Sequence, residues 1–221
     1  MITYNERLKQ YLVVDPEDTS ARHVVPRVSQ IAGLLDPGAY QFVKDSAMVT
    51  ASRRGTWVHE AIDRFHTAGR WELGNYDVDS VTAPYYGGYM DFLSDTGAEP
   101  LEGEKVVYHR TYRYAGRLDK LFRIQGRLTV VDFKVTAAMP KTVWVQLAAY
   151  MEAENDAIKA ILYPNYPPLI TDRAALRLKP NEKYQLRRPS ELFAEDLRVF
   201  LALLQILRWK EKQSNGYKPK F

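Results

Sequence analysis

Two aspartates and a lysine (Asp119, Asp132 and Lys134) stand in short β-type segments of this chain. They are of the types that hold a hard cation and activate water. The segments read Tyr114-Ala115-Gly116-Arg117-Leu118-Asp119, then a break at Gln125-Gly126, then Val130-Val131-Asp132-Phe133-Lys134-Val135. Side chains alternate along a strand, so Asp132 and Lys134 share one face while Val131, Phe133 and Val135 turn to a core. If the two segments pair as a hairpin, Asp119 reaches the same patch. Two carboxylates with an ammonium beside them suit attack of water on a phosphodiester. The dipeptide alone is weak, because acid-x-Lys arises about once by chance in a chain of this size. Lys134 is the one lysine with an acid two residues before it. Read as an exposed pair on a sheet face, Asp132 and Lys134 would contribute very little.

Two helical segments flank these strands. Downstream, Thr142 to Glu154 is rich in helix formers, with Thr142 as its expected N-cap. Gln146 and Tyr150 are four apart and share a face, with Leu147 and Met151 beside them toward the core. Upstream, Arg53 to His66 carries an apolar stripe of Trp57, Val58, Ala61, Ile62 and Phe65. A polar stripe of His59, Asp63 and His66 runs beside it. Each stripe taken singly reads as ordinary amphipathic structure. His59-Glu60 opens like the zinc-protease His-Glu-x-x-His helix, but Asp63 stands where the second histidine would be, which disfavours a zinc hydrolase.

In order along the chain, Gly55-x-x-x-His59, Gly116-x-x-Asp119, Asp132-x-Lys134 and Gln146-x-x-x-Tyr150 resemble the motifs of the PD-(D/E)XK nuclease superfamily, RecB-like branch. That branch includes RecB and AddAB nuclease domains, the mitochondrial genome maintenance exonuclease and phage exonucleases of the lambda type. The resemblance spans roughly residues 53 to 150, and its weight lies in the order of four motifs rather than in any one.

The resemblance implies that His59, Asp119 and Asp132 are metal ligands, joined by the backbone carbonyl of Phe133. It implies that Lys134 orients or deprotonates the attacking water and stabilises charge on the transition state. Gln146 and Tyr150 would support the site and touch the DNA backbone. Glu104 matches an acidic residue found just before the paired strands, with Glu102 as its rival. The implied cofactor is Mg²⁺, with Mn²⁺ able to substitute. Several relatives hold an iron–sulfur cluster on four cysteines; this chain has no cysteine, so a cluster, a disulfide and a cysteine nucleophile are all excluded.

The activity so implied is a Mg²⁺-dependent DNA exonuclease, phage-type, in recombination or repair. A structure-specific endonuclease and a catalytically inactive DNA-binding module are the alternatives; the intact Asp119, Asp132 and Lys134 argue against the second. The expected partners are duplex DNA with a free end and a single-strand annealing or recombination protein. Arg53 and Arg54, ahead of the His59 helix, are candidates for a terminal phosphate, and Arg117 and Tyr150 for the strand backbone. Tyr85 and Tyr86, in a Pro-Tyr-Tyr-Gly-Gly segment read as flexible, are candidates for stacking on bases, whereas Trp57 and Trp144 read as core.

The elements needed to position these residues can be read coarsely. Helices are expected near 29–35, 39–50, 53–68, 87–97 and 142–156. Strands are expected near 104–112, 113–119, 121–125, 128–135 and 158–163, with Pro164 to Pro168 as an extended connection. Lys179-Pro180-Asn181-Glu182 signals a hairpin between 173–178 and 183–188. Ser190 is the expected cap of a long helix ending about Lys212. The expected fold is α/β with a restriction-endonuclease-like core, a mixed β-sheet flanked by α-helices. It is read as a single domain over 1–221, its motif core at about 53–163 and its C-terminal hairpin and helix at 172–212.

A chain of 221 residues, 46% apolar, can bury one sizeable core. No apolar run reaches the roughly 18 residues of a membrane span; the longest, Val199 to Leu207, lies between Arg198 and Arg208. The start, Met1 to Arg7, lacks a signal-peptide apolar region, and the expectation is a soluble cytoplasmic protein without a membrane partner. The net charge of +4 is uneven: residues 172–221 hold 12 Lys/Arg against 6 Asp/Glu, the remainder 19 against 21. An acidic cleft with a basic flank suits phosphate binding, though a solvated C-terminal face reads the same way.

Overall fold

The computed structural model describes residues 2–5, 7–14, 22–38, 44–160, 169–189 and 193–214. The chain opens with three antiparallel strands, β1 (Ile2–Asn5), β2 (Gln10–Val14) and β3 (Arg22–Val25). The sequence reading does not anticipate them. Helix α1 (Val28–Gly33) follows, then α2 (Asp45–Ala68), α3 (Tyr76–Thr82), a 3-10 turn at Ala83–Tyr85 and α4 (Tyr86–Thr96). The two helices expected over 39–50 and 53–68 are one from Asp45 onward, since Ala51, Ser52 and Gly55 do not interrupt it; residues 39–43 lie outside the described residues. It stops at Gly69, whose left-handed φ of 66° a side chain would resist.

Strands β4 (Glu99–Glu102), β5 (Lys105–His109), β6 (Tyr114–Leu118), β7 (Lys120–Ile124) and β8 (Arg127–Lys134) come next. Helix α5 (Val143–Lys159), β9 (Asp172–Lys179), β10 (Lys183–Arg187) and α6 (Phe193–Ser214) complete the chain. The strand expected at 158–163 is corrected over its first residues: Ile158 and Lys159 continue α5, and 161–163 lie outside the described residues, as do Pro164 to Pro168 and Ser190. Thr142 begins α5 in a helical conformation and its hydroxyl caps nothing.

A five-stranded mixed sheet in the order β10-β9-β8-β7-β4 is the frame, with β5 and β6 as a separate pair. β8 and β9 run parallel, so the chain must cross over between them, and α5 lies on that path. The β7–β8 hairpin turns at Gln125-Gly126, both with positive φ (50° and 78°), the conformation that matches strand twist. Both faces of β8 are covered. Val130 faces α1, α5 and α6, among Leu147, Ile158, Phe200 and Leu204. Val131, Phe133 and Val135 face α2 and α4, among Val58, Ile62, Tyr89 and Phe92. Each such buried side chain stabilises the fold by about 1.5–3 kcal/mol. The architecture is thus mixed α/β, a mixed sheet flanked by helices on both faces.

Two polar side chains on the α5 side are matched by backbone groups. The Tyr114 hydroxyl donates to the carbonyl of Ala149 at 2.9 Å, and the Asn155 amide pairs in both directions with the backbone of Ile170 at 3.0 and 2.8 Å. Among the described residues, no helix is long and apolar enough to cross a membrane.

Candidate active site

The site begins where strand pairing ends. β7 pairs with β8 from Ile124↔Arg127 to Lys120↔Val131 and no further, because β6 pairs with β5 instead. At Asp119 the chain therefore peels away from β8. Phe133, the next β8 residue whose backbone faces that side, has its N–H bound by Asp119 Oδ2 at 2.7 Å. Its carbonyl oxygen lies 3.2 Å from His59 Nε2, on α2. Two side chains thus take the place of the missing strand. The outcome expected for a hairpin of residues 114–119 with 128–135 is reached differently: β7 forms the hairpin, and Asp119 reaches β8 from the kink before it.

With His59 Nε2 donating to Phe133, Nδ1 faces Asp119 Oδ1 at 3.6 Å, a pair that attracts only when the ring is protonated. Burial above all raises the Asp119 pKa; His59 lowers it, Asp132 raises it, and Lys134 and the Phe133 N–H lower it. Asp132 is 4% exposed and turns to the α5 side, where its Oδ2 lies 2.5 Å from Lys134 Nζ yet makes no hydrogen bond of acceptable geometry. The Tyr150 hydroxyl, on α5, is pushed far up by burial, then by Asp132 and Asp119. Gly116 makes room for that ring: a Cβ there would sit 2.5 Å from Tyr150 Cε1.

These residues floor or flank an open cavity of about 1390 Å³. His59, Glu104, Arg117, Phe133, Lys134 and Gln146 line it, Arg54 among its walls. The exposed start of α2 (Ala47, Met48, Ala51) forms one wall, and the segment after β8 (Thr136 to Lys141) another. That segment is anchored from both sides: Arg54 donates to the carbonyl of Val135 at 3.4 Å, and Arg177 on β9 donates to the carbonyls of Thr136, at 2.8 Å, and Ala137. A smaller cavity of about 220 Å³ lies behind, lined by Tyr4, Tyr11, Arg27, Ser29, Arg117 and Tyr150.

The expected residues are unevenly placed. His59, Asp119, Phe133, Asp132 and Lys134 come together. Glu104 reaches the cavity and pairs with Arg117 at 3.1 Å, whereas its rival Glu102 pairs with Lys105 at 2.9 Å away from it. Arg54 and Gln146 line the large cavity; Tyr150 opens only to the small one; Arg53 is exposed and lines neither. Tyr85 is buried among Trp71, Tyr89 and Phe92, so the expected flexible stacking segment is corrected to a helical one, with Tyr86 alone exposed. Trp144 packs against the core as expected, while Trp57 is half-buried and stands off the α2 stripe.

The sequence reading missed Lys120. It is 3% exposed, its pKa lowered by burial against the pull of Asp63, whose Oδ1 lies 3.5 Å from its Nζ. A lysine in a strand reads as a surface residue, and no local signal marks this one as buried. His66, on the same face of α2, hydrogen-bonds the Tyr89 hydroxyl at 2.6 Å, and burial followed by Lys120 lowers its pKa to about 4.

The donors fit a hard divalent cation in kind: two carboxylates, a carbonyl and an imidazole. A ring nitrogen facing a carboxylate and a buried carboxylate oxygen without a hydrogen bond are both groups a cation would satisfy. Of these side chains His59 and Asp119 face each other directly, while Asp132 pairs with Lys134 and acts on Asp119 through its charge. Among the described residues no three His, Asp or Glu side chains are grouped to hold a metal.

No protein-family model and no curated protein matches the chain. Solved structures resemble it loosely. LHK-Exo in complex with dAMP matches at TM-score 0.41 and 14% identity over 87% of this chain and 93% of its own. The alkaline exonuclease LHK-Exo from Laribacter hongkongensis matches at 0.39 and 13% over 86% and 94%, and SSO0001 at 0.29 and 13% over 76% and 77%. Likenesses this loose carry no argument about activity, which must come from the residues themselves.

Proposed function

We propose that this chain is a divalent-metal-dependent DNA exonuclease of the RecB-like PD-(D/E)XK kind, acting in recombination or repair with Mg²⁺ as its ion. The observation that carries this reading is the meeting of Asp119 and His59 on the backbone of Phe133, beside Asp132 and Lys134, with His59, Phe133 and Lys134 opening to a large cleft and the two aspartates set behind them. It supports the order of motifs in the sequence with a spatial neighbourhood.

His59, Asp119, Asp132 and the Phe133 carbonyl would hold the ion. When bound, it supplies a Lewis acid and makes water a usable nucleophile near neutral pH. Lys134 would orient the attacking water toward phosphorus, and its ammonium would oppose the negative charge that grows on the phosphoryl oxygens. The new P–O bond forms as the P–O3′ bond breaks. The water's proton passes to solvent, and the departing 3′ oxygen takes one up, leaving a 5′-phosphate and a 3′-hydroxyl. Arg54, Arg117 and Gln146, all lining the cleft, hold the flanking phosphates.

Incubation with Mg²⁺ and linear, nicked or covalently closed duplex DNA tests the proposal. A linear duplex should be digested progressively, the closed circle should survive, and EDTA should stop the reaction. Rapid linearisation of the closed circle would instead make the chain an endonuclease.

A further inference from the structure

Helix α2 carries His59 but is held over the sheet by few directional contacts. Its residues 45–53 are exposed on all sides, and its stripe of Val58, Ala61 and Ile62 is apolar. Apolar packing resists separation but does not fix where a helix sits along or about its axis. Among the described residues, the contact between α2 and the sheet that carries a full charge at each end is Asp63 to Lys120. The ammonium is 4% exposed as a side chain and the carboxylate 46%, so the lysine is a fixed point to which α2 is tethered.

A third element meets them. A Cβ at Gly103 would lie 2.6 Å from Asp63 Oδ1 and 3.8 Å from Lys120 Nζ, so the β4–β5 connection passes directly over the pair. Each member of this junction lies close in sequence to a residue of the proposed site: two of its metal ligands, His59 and Asp119, and the cleft-lining Glu104. Asp63 is one helical turn after His59, Lys120 follows Asp119, and Gly103 precedes Glu104. A void of about 10 Å³ lies between the two sets, bordered by His59, Asp63, Glu104, Asp119, Lys120 and Phe133.

We infer that Asp63, Lys120 and Gly103 form a positioning junction that sets His59, Asp119 and Glu104 relative to one another, and through them the site's affinity for a divalent ion. The inference rests on the metal-site reading given under Proposed function. None of the three junction residues need touch the ion or the substrate. Their effect is to hold α2, the β6–β7 kink and the β4–β5 connection in one register.

Calorimetric titration of the full chain with Mn²⁺ alone separates this role from a merely structural one. Asp63→Asn and Lys120→Met should each weaken Mn²⁺ binding about 10- to 100-fold, the loss expected when a ligand's support is removed. The melting temperature in EDTA should fall for Asp63→Asn, which leaves a buried ammonium without its carboxylate, but for Lys120→Met it should hold or rise, because an apolar side chain replaces a buried charge. Gly103→Ala tests the junction without removing either charge. Its methyl group meets the far end of a flexible side chain, so the fold should persist while Asp63 is displaced and Mn²⁺ binding weakens as in Asp63→Asn. Arg123→Ala, on the exposed Arg123–Glu99 pair of the same sheet, should leave binding unchanged. Wild-type affinity in all three junction variants, with melting alone affected, overturns the inference and leaves the metal site standing. A wild-type chain that takes up no Mn²⁺ overturns both.

Discussion

The two halves of β8 lie in one continuous strand and do different things. From Arg127 to Val131 the strand is laddered on the β7 side, and Val130 and Val131 at its end are buried in the apolar layers on either face. From Asp132 to Lys134 it keeps β9 but has lost β7, and Asp119 and His59 bind its backbone instead. The first half is all stability. The second concentrates buried charge, a carboxyl with a raised pKa and a carboxylate oxygen without a hydrogen bond. A site of this kind appears where regular pairing is interrupted, because only there do backbone groups and charged side chains share one small space.

The largest way to break the contrast is at Lys134. Lys134→Ala should lower the cleavage rate by about 100- to 1000-fold, as loss of a charge-stabilising group does. Mn²⁺ affinity should change far less, which parallel rate and calorimetric measurements would show.

Asp119→Asn should inactivate the protein and yet raise its melting temperature in EDTA at pH 8. The carboxyl's pKa is raised in the fold, chiefly by burial, so folding disfavours its ionised form. The sign follows: the wild type gains stability relative to this variant as pH falls through the folded pKa, and the variant's advantage should disappear there. An equal advantage at every pH would contradict it.

His66 sharpens the comparison from α2. Its folded pKa, about 4, is below the usual 6.5, so the unfolded chain takes up the proton first on acidification. The stability it contributes is whole above about 6.5 and is lost as pH falls toward about 4. Melting curves of the wild type and His66→Gln should therefore converge over that window, with the wild type the more stable at pH 8.

The smallest effect belongs to the laddered half. Gln125→Asn, at the positive-φ first position of the hairpin turn, should add about 0.5 kcal/mol or slightly more. Urea unfolding would measure it, and the cleavage rate should not move.

The sequence makes the second half of the chain legible because its signals are local. The alternation around Asp132, the 3.6-residue pattern of α5 and the Pro180-Asn181 turn between β9 and β10 each fix an element without reference to the rest. Where position depends on distant contacts, reading fails. Tyr85 and the Gly87-Gly88 pair look flexible, but Gly88 lets α4 close on β10, where a Cβ would lie 2.7 Å from the Lys183 backbone. Strand β4 contains Pro100 and two acids and carries no strand signal, and α3 is announced only by Asn75, whose side chain accepts the N–H groups of Asp77 and Val78. At the site, residue types and order were readable. The kink at Asp119, which follows from β6 leaving the sheet, and the burial of Asp132 and Lys120, which depends on distant elements packing over them, were not.

The central claim is that the interrupted half of β8 hydrolyses phosphodiesters with the help of a bound cation. Digestion of a linear duplex in Mg²⁺ by matched preparations of wild type and Asp132→Ala tests it most directly. The account predicts steady, EDTA-sensitive digestion by the wild type and none by the variant, with both chains folded by circular dichroism. Digestion by Asp132→Ala at the wild-type rate, free of contaminating nuclease, would contradict it.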